Sequence, residues 1–166
     1  TAEVMPPRGG DASHTLAMAD YLKGRVHAVN VTDGSRAVMR MSSLAVCRLL
    51  LEKGLEPVLQ LACRDRNRIA IQGDVLGAAA MGESNILCLT GDGVQAGDQP
   101  EAKPVFDLDS LSLLDIVAGW RDEHALASGR TLTSAPQVFL GAAANPFAAM
   151  PTAAVTAVGG APGVPA

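Results

Sequence analysis

Short apolar runs alternate along the chain with longer segments whose apolar residues recur at helical spacing. Residues 1–7 read as a first strand stopped by Pro6 and Pro7, and Ser13 is placed to cap a helix running to about residue 23. The β-branched run "VHAVNVT" at 26–32 predicts a second strand. Residues 37–53 predict a helix that ends at Gly54, a natural left-handed terminator. "PVLQLAC" at 57–63 predicts a third strand, 66–81 a helix ended by Gly82, and "NILCLT" at 85–90 a fourth strand. A helix over 108–124 and a fifth strand, "QVFLGA" at 137–142, complete the pattern.

Strands alternating with helices imply an α/β protein with a parallel sheet and right-handed crossovers, either open and doubly wound or part of a barrel. In both architectures the C-terminal edge of the sheet carries the site. There the sequence puts Thr32-Asp33-Gly34 after the second strand, Cys63-Arg64-Asp65 after the third and Gly91-Asp92 after the fourth. Glu3 lies on the first strand, and the fifth runs on to Asn145. Most strand-to-helix loops are about 2 to 6 residues long, so the polar connection opening at Thr90-Gly91-Asp92 is too long to be a simple turn.

Composition narrows the field. The chain has 166 residues and a formal net charge of -4, enough for one domain with a core. Its Lys and Arg are scattered, with no basic stripe for nucleic acid. No run approaches the roughly 18 apolar residues of a membrane span, and no secretory leader is recognisable. The chain starts at Thr1, as a sequence lacking its true N-terminus would. Cys47, Cys63 and Cys88 sit in apolar segments and read as reduced, buried thiols of a cytoplasmic protein. His14, His27 and His124 occur in unrelated settings, so no metal site is expected. The first strand is followed by "PPRGGD", which is no dinucleotide fingerprint. "GDGVQAG" is one residue too long for that pattern, and no P-loop is present.

Taken singly, the candidate residues have ordinary explanations. Glu3 suits the solvated start of a strand, and Asp92 in Thr-Gly-Asp-Gly is good turn chemistry. Arg64-Asp65-Arg66 suits a surface charge cluster with Asp65 as a helix N-cap. The cysteines and methionines suit packing.

The order of the segments says more. "EVMPPRGGD", "VNVTDGSRAVMRMSS", "QLACRDRNRIAIQGDVLGAAAMG", "NILCLTGDGVQAGD", "KPVFDLDSLSLL" and "FLGAAANPFA" follow one another as in methylenetetrahydrofolate reductases. The resemblance covers about residues 1–148, and the CRDRN form resembles the bacterial and archaeal branch distinct from the enteric-type enzyme. It implies a (β/α)8 TIM barrel, here about its first five βα units, with a flavin (FAD, or else FMN) across the C-terminal face. It also implies reduction of 5,10-methylenetetrahydrofolate to 5-methyltetrahydrofolate, with NAD(P)H or an electron-donor protein as reductant. Glu3 matches the family's general acid, which protonates the folate nitrogen as the methylene bridge opens. Asp92 matches the aspartate near flavin and pterin. Thr32, Gly91 and Phe106 fall at flavin-contacting positions. Gln60 stands where many relatives have histidine, Thr90 where the enteric-type enzyme has arginine, and Asn145 where tyrosine is common.

A complete barrel of this kind needs about 250 residues. After Arg130 no charged residue occurs. The Ala, Val, Gly and Pro tract over 149–166 has neither the propensity nor the polar face of a surface helix, and is expected to be disordered or foreign to the fold. Two readings follow: a flavin-dependent reductase represented by its N-terminal part, or a non-catalytic folate- or flavin-binding half-barrel subunit that needs a partner. Homo-oligomerisation is left open.

Overall fold

A computed structural model describes residues 1–126 and 128–143. Five strands form one sheet in the order β1-β2-β3-β4-β5: Ala2–Val4, Val29–Val31, Pro57–Ala62, Asn85–Leu89 and Phe139–Ala142. Every neighbouring pair is parallel. Four helices connect them: α1 (Ser13–Asp20), α2 (Ser43–Glu52), α3 (Arg68–Ala80) and α4 (Ser110–Glu123). Asn145 and the 149–166 tract lie outside the described residues.

The strand register sorts side chains onto two faces. Val29, Val31, Leu59, Leu61, Ile86 and Cys88 share one face and are fully buried. They form a single core with Val46, Leu50, Ile71, Val75, Leu113, Val117 and Trp120 from α2, α3 and α4. The other face carries Glu3, Asn30, Val58, Gln60, Asn85, Leu87 and Phe139, and much of it is open. Phe139 is 73 % exposed. Parallel sheets are ordinarily buried on both faces. A consecutive strand order with all helices packed on one side is the arrangement that curls into a barrel, whose interior is the second face.

The predicted terminators hold. After α2, Gly54 takes φ 73° while the amides of Gly54 and Leu55 donate back to Leu51 and Leu50. After α3, Gly82 takes φ 91° while the amides of Gly82 and Glu83 return to Ala79 and Ala78. Both are Schellman closures, for which glycine is the favoured residue.

The helix starts differ from expectation. Ser13 is not a cap: Ala12 holds that position, and Asp11 accepts from the Ser13 amide at 2.9 Å. α2 begins at Ser43 rather than 37, because the amides of Met39 and Met41 are engaged by Asp98 and by the Pro7 carbonyl. The N-cap of α3 is Asn67, whose Oδ1 accepts from the Ile69 and Ala70 amides. Asp65 instead pairs with Arg64. α4 starts with a capping box between Asp109 and Ser112.

One buried group lies at the opposite, N-terminal edge. Glu83, between α3 and β4, is 1 % exposed, and among the described residues neither carboxyl oxygen has a hydrogen-bond partner. Burial, with a smaller contribution from Glu56, pushes its pKa up to about 7 against the attraction of Arg48.

Candidate active site

The C-terminal ends of β2, β3 and β4 open into a cleft of about 250 Å³. Gln60 and Ala62 of β3, Thr90, Gly91 and Asp92 after β4, and Asp33 and Gly34 after β2 line it together with Arg64. The sequence separates these groups by up to 59 positions (33 to 92), and the parallel register brings them to one edge.

Charged pairs hold the cleft's rim. Asp33 Oδ2 accepts from Arg66 Nη1 at 2.7 Å and from the Ala62 amide at 2.9 Å. Arg66 also meets Asp74 at 2.8 Å. Burial opposes the charge on Arg66, but Asp33 and Asp74 outweigh it and hold its pKa above the usual value. Arg64, 4 % exposed, forms a bidentate pair with Asp65 and donates to the Gly34 carbonyl at 3.1 Å. The hydrogen bonds that Arg64 donates to Asp65 raise its pKa. Arg68 pairs with Asp107 at 2.8 Å, which holds that carboxyl down to about 2. The run from 64 to 68 is therefore no loose surface cluster. Its three arginines fasten β3 to the loops after β2 and β4.

Each candidate residue except Asn145 now has a place. Gln60 is buried, and its backbone carbonyl accepts from the Ser43 hydroxyl at 3.0 Å. Its side-chain amide has no hydrogen bond among the described residues. Thr32 is buried, with its hydroxyl unpartnered among the described residues. Thr90 Oγ1 accepts from the Ser110 amide at 3.1 Å, tying the end of β4 to the start of α4. Gly91 has φ 96°, and a Cβ there would lie 3.2 Å from the Ala62 Cβ and 3.1 Å from the Arg64 Cβ. Glycine at this point thus permits close packing on β3. Asp92 Oδ2 accepts from the Arg36 amide at 2.7 Å. Phe106, at φ 42°, borders an adjoining hollow that shares Thr90 and Gly91. Glu3 sits on the open face of β1, in register with Asn30, and is exposed outside the cleft.

Sequence reasoning passed over Asp98 and the pairing of Asp33 with Arg66. A carboxylate directly after a buried strand was the available signal for Asp33. The three thiols are buried and free. Burial raises those of Cys63 to about 11 and Cys88 to about 12, and pushes Cys47 up further with help from Glu83, so none is poised as a nucleophile. Among the described residues no group of three His, Cys, Asp or Glu side chains could hold a metal ion, and no helix is long and apolar enough to cross a membrane.

The consecutive parallel sheet, its one-sided helical layer and its cleft at the strand C-termini are those of a partial (β/α)8 barrel. The family model for methylenetetrahydrofolate reductase matches residues 1–139. The chain belongs to the methylenetetrahydrofolate reductase family, a TIM-barrel family of oxidoreductases that act on folate and are generally flavin-dependent. A comparison with curated proteins gave no match.

The residues present suit a flavin's heteroaromatic edge. The Thr32 hydroxyl, unpartnered among the described residues, and the Gln60 carboxamide can both donate and accept hydrogen bonds. A flavin edge offers both kinds of partner.

Proposed function

We propose that the protein reduces 5,10-methylenetetrahydrofolate to 5-methyltetrahydrofolate at the C-terminal edge of this sheet, with FAD as the bound flavin. The observation that carries this reading is the family match over residues 1–139, together with the convergence of Gln60, Thr90, Gly91 and Asp92 on one cleft. When bound, the flavin would take hydride from NAD(P)H, or electrons from a donor protein with protons from solvent, and would supply hydride to the substrate.

The chain's own residues have separable tasks. Thr32, Gln60 and Gly91 bind the flavin, with Thr90 and Phe106 at its margin and Asn145 as a further contact. Asp92 accepts hydrogen bonds from pterin N–H groups. Glu3 delivers a proton to the folate nitrogen as the methylene bridge opens. Cytoplasmic residence agrees with the free cysteines.

The test is a flavin spectrum of the purified protein, followed by anaerobic reduction and addition of methylenetetrahydrofolate. Bound flavin that is reoxidised by the folate is the expected result; a colourless protein that takes up no added FAD would overturn it. The open face bearing Phe139 favours a second reading, a flavin- or folate-binding half-barrel subunit completed by a partner. That reading expects folate binding with no turnover until the partner is added.

A further inference from the structure

We propose that the turn at residues 36 and 37 aims the Asp92 carboxylate, and that Ala37 is a positioning residue for it. The functional part of this proposal rests on the reading of Asp92 as the pterin-facing group.

Asp92 Oδ2 accepts a hydrogen bond from the Arg36 backbone N–H at 2.7 Å. Among the described residues its carboxylate has no other hydrogen-bond donor, so Oδ1 is left for a ligand. The backbone that presents this N–H is unusual. Arg36 has φ 57° and Ala37 φ 54°, both left-handed, and neither is glycine. Such conformations persist where the surroundings over-determine them. Here three contacts do so. The Met39 amide donates to Asp98 Oδ1 at 2.9 Å, and Arg64 Nη1 donates to the Gly34 carbonyl at 3.1 Å. The backbone at Gly97 packs so closely on the Ala37 carbonyl that any side chain at 97 would collide with it. Asp92 and Asp98 come from the same connection after β4, so that connection and the turn fix each other. A carboxylate held by one oxygen has a defined direction for the other, which is what recognition of a planar N–H edge requires.

Hydrogen exchange at individual amides of the intact protein tests the link without turnover. Asp92→Ala should speed exchange at Arg36 by about tenfold or more while Met39 stays protected, and Asp98→Ala should do the reverse. Ala37→Val, disfavoured at positive φ, should release Arg36 and weaken binding of 5-methyltetrahydrofolate by about tenfold or more. Ala37→Gly accepts the same φ and should keep both properties. Should Ala37→Val not fold, the Asp92→Ala and Asp98→Ala pair decides, and unchanged Arg36 exchange in Asp92→Ala overturns the proposal. Equal folate affinity in wild type and a folded Ala37→Val with faster Arg36 exchange also overturns it. Failure of the wild-type protein to bind the folate, with the exchange pattern as expected, sinks the pterin reading and leaves the aiming of Asp92 supported.

Discussion

Asp33 Oδ2 lies 2.7 Å from Arg66 Nη1 and 2.9 Å from the Ala62 amide nitrogen, so one carboxylate ties the exit of β2 to the exit of β3. Its side chain is only 9 % exposed and Arg66's 19 %, which places the pair in poorly solvated surroundings. Removing one partner of such a pair leaves the other charge under-compensated.

Asp33→Asn should therefore destabilise the fold by about 2 to 4 kcal/mol, toward the lower part because Arg66 keeps Asp74. Asp107→Asn breaks a more exposed pair with Arg68 and should cost much less. Urea unfolding of both variants checks the ranking. Equal losses would mean that burial does not set the strength of the 64–68 fastening.

The contrast between these pairs shows what the sequence could and could not reveal. β3 and β4 were legible because Leu59, Leu61, Ile86 and Cys88 are apolar runs bounded by turn residues. Gly54 and Gly82 marked helix ends because left-handed closure favours glycine. The early start expected for α2 failed because Asp98, far along the chain, takes the Met39 amide. Asp65 failed as a cap for a similar reason: Arg64 beside it offered a bidentate partner, and Asn67 was free to take the role. Of the cleft's lining, Gly91 and Asp92 were legible as strand-end residues, whereas Gln60 and Thr90 were singled out by the family resemblance. The pairing of Asp33 with Arg66 depends on register between separate strands, which local pattern does not encode.

Gly91 and Gly73 offer opposed tests of what glycine does. Gly91→Ala places a methyl 3.1 Å from the Arg64 Cβ at φ 96°, and should destabilise by about 1 to 3 kcal/mol. Gly73 is an exposed helical position in α3 with open space around it. Gly73→Ala should stabilise by about 0.5 to 1 kcal/mol. Thermal unfolding of the two variants is the measurement, and a stabilised Gly91→Ala would refute the close-packing account.

Glu83 should make stability fall as pH rises. Its pKa is raised from 4.5 to about 7 in the fold, so between those values the folded state holds a proton that the unfolded chain has released. Its contribution is fully present below about 4.5 and lost as pH rises through about 7. The loss should be roughly 3 kcal/mol. Glu83→Gln removes this titration, so its stability should decline less than wild type between mildly acidic and mildly alkaline buffer. Parallel pH profiles of the urea midpoint would show that Glu83 keeps its ordinary acidity.

Glu3→Gln should separate the two half-reactions. An acid assigned to the folate nitrogen has no task while the electron donor reduces the flavin. Flavin reduction should stay near wild type while reduction of methylenetetrahydrofolate falls by about 10²- to 10⁴-fold. Stopped-flow absorbance resolves both steps, and equal slowing would make Glu3 a structural residue of β1.

Asp92→Asn should alter the flavin and the folate together. On the proposed role of Asp92, the substitution removes a negative charge beside the flavin and favours its more electron-rich state, so the bound flavin should become easier to reduce. The amide keeps one accepting oxygen, which can still take the Arg36 N–H. It replaces the other oxygen, assigned to the pterin in the proposed role, with a donor, which cannot accept from pterin N–H groups. Loss of a hydrogen bond to a charged group typically costs about 1.5 to 3 kcal/mol, or roughly 10- to 150-fold in folate affinity. A residue that only closes the turn after β4 would change stability and neither of these properties. Redox titration of the bound flavin and folate titration of the same two samples decide the matter. An unshifted potential with unchanged affinity would return Asp92 to the role of a carboxylate that fastens the 35–41 loop, and the pterin would then need its acceptor elsewhere on the sheet edge.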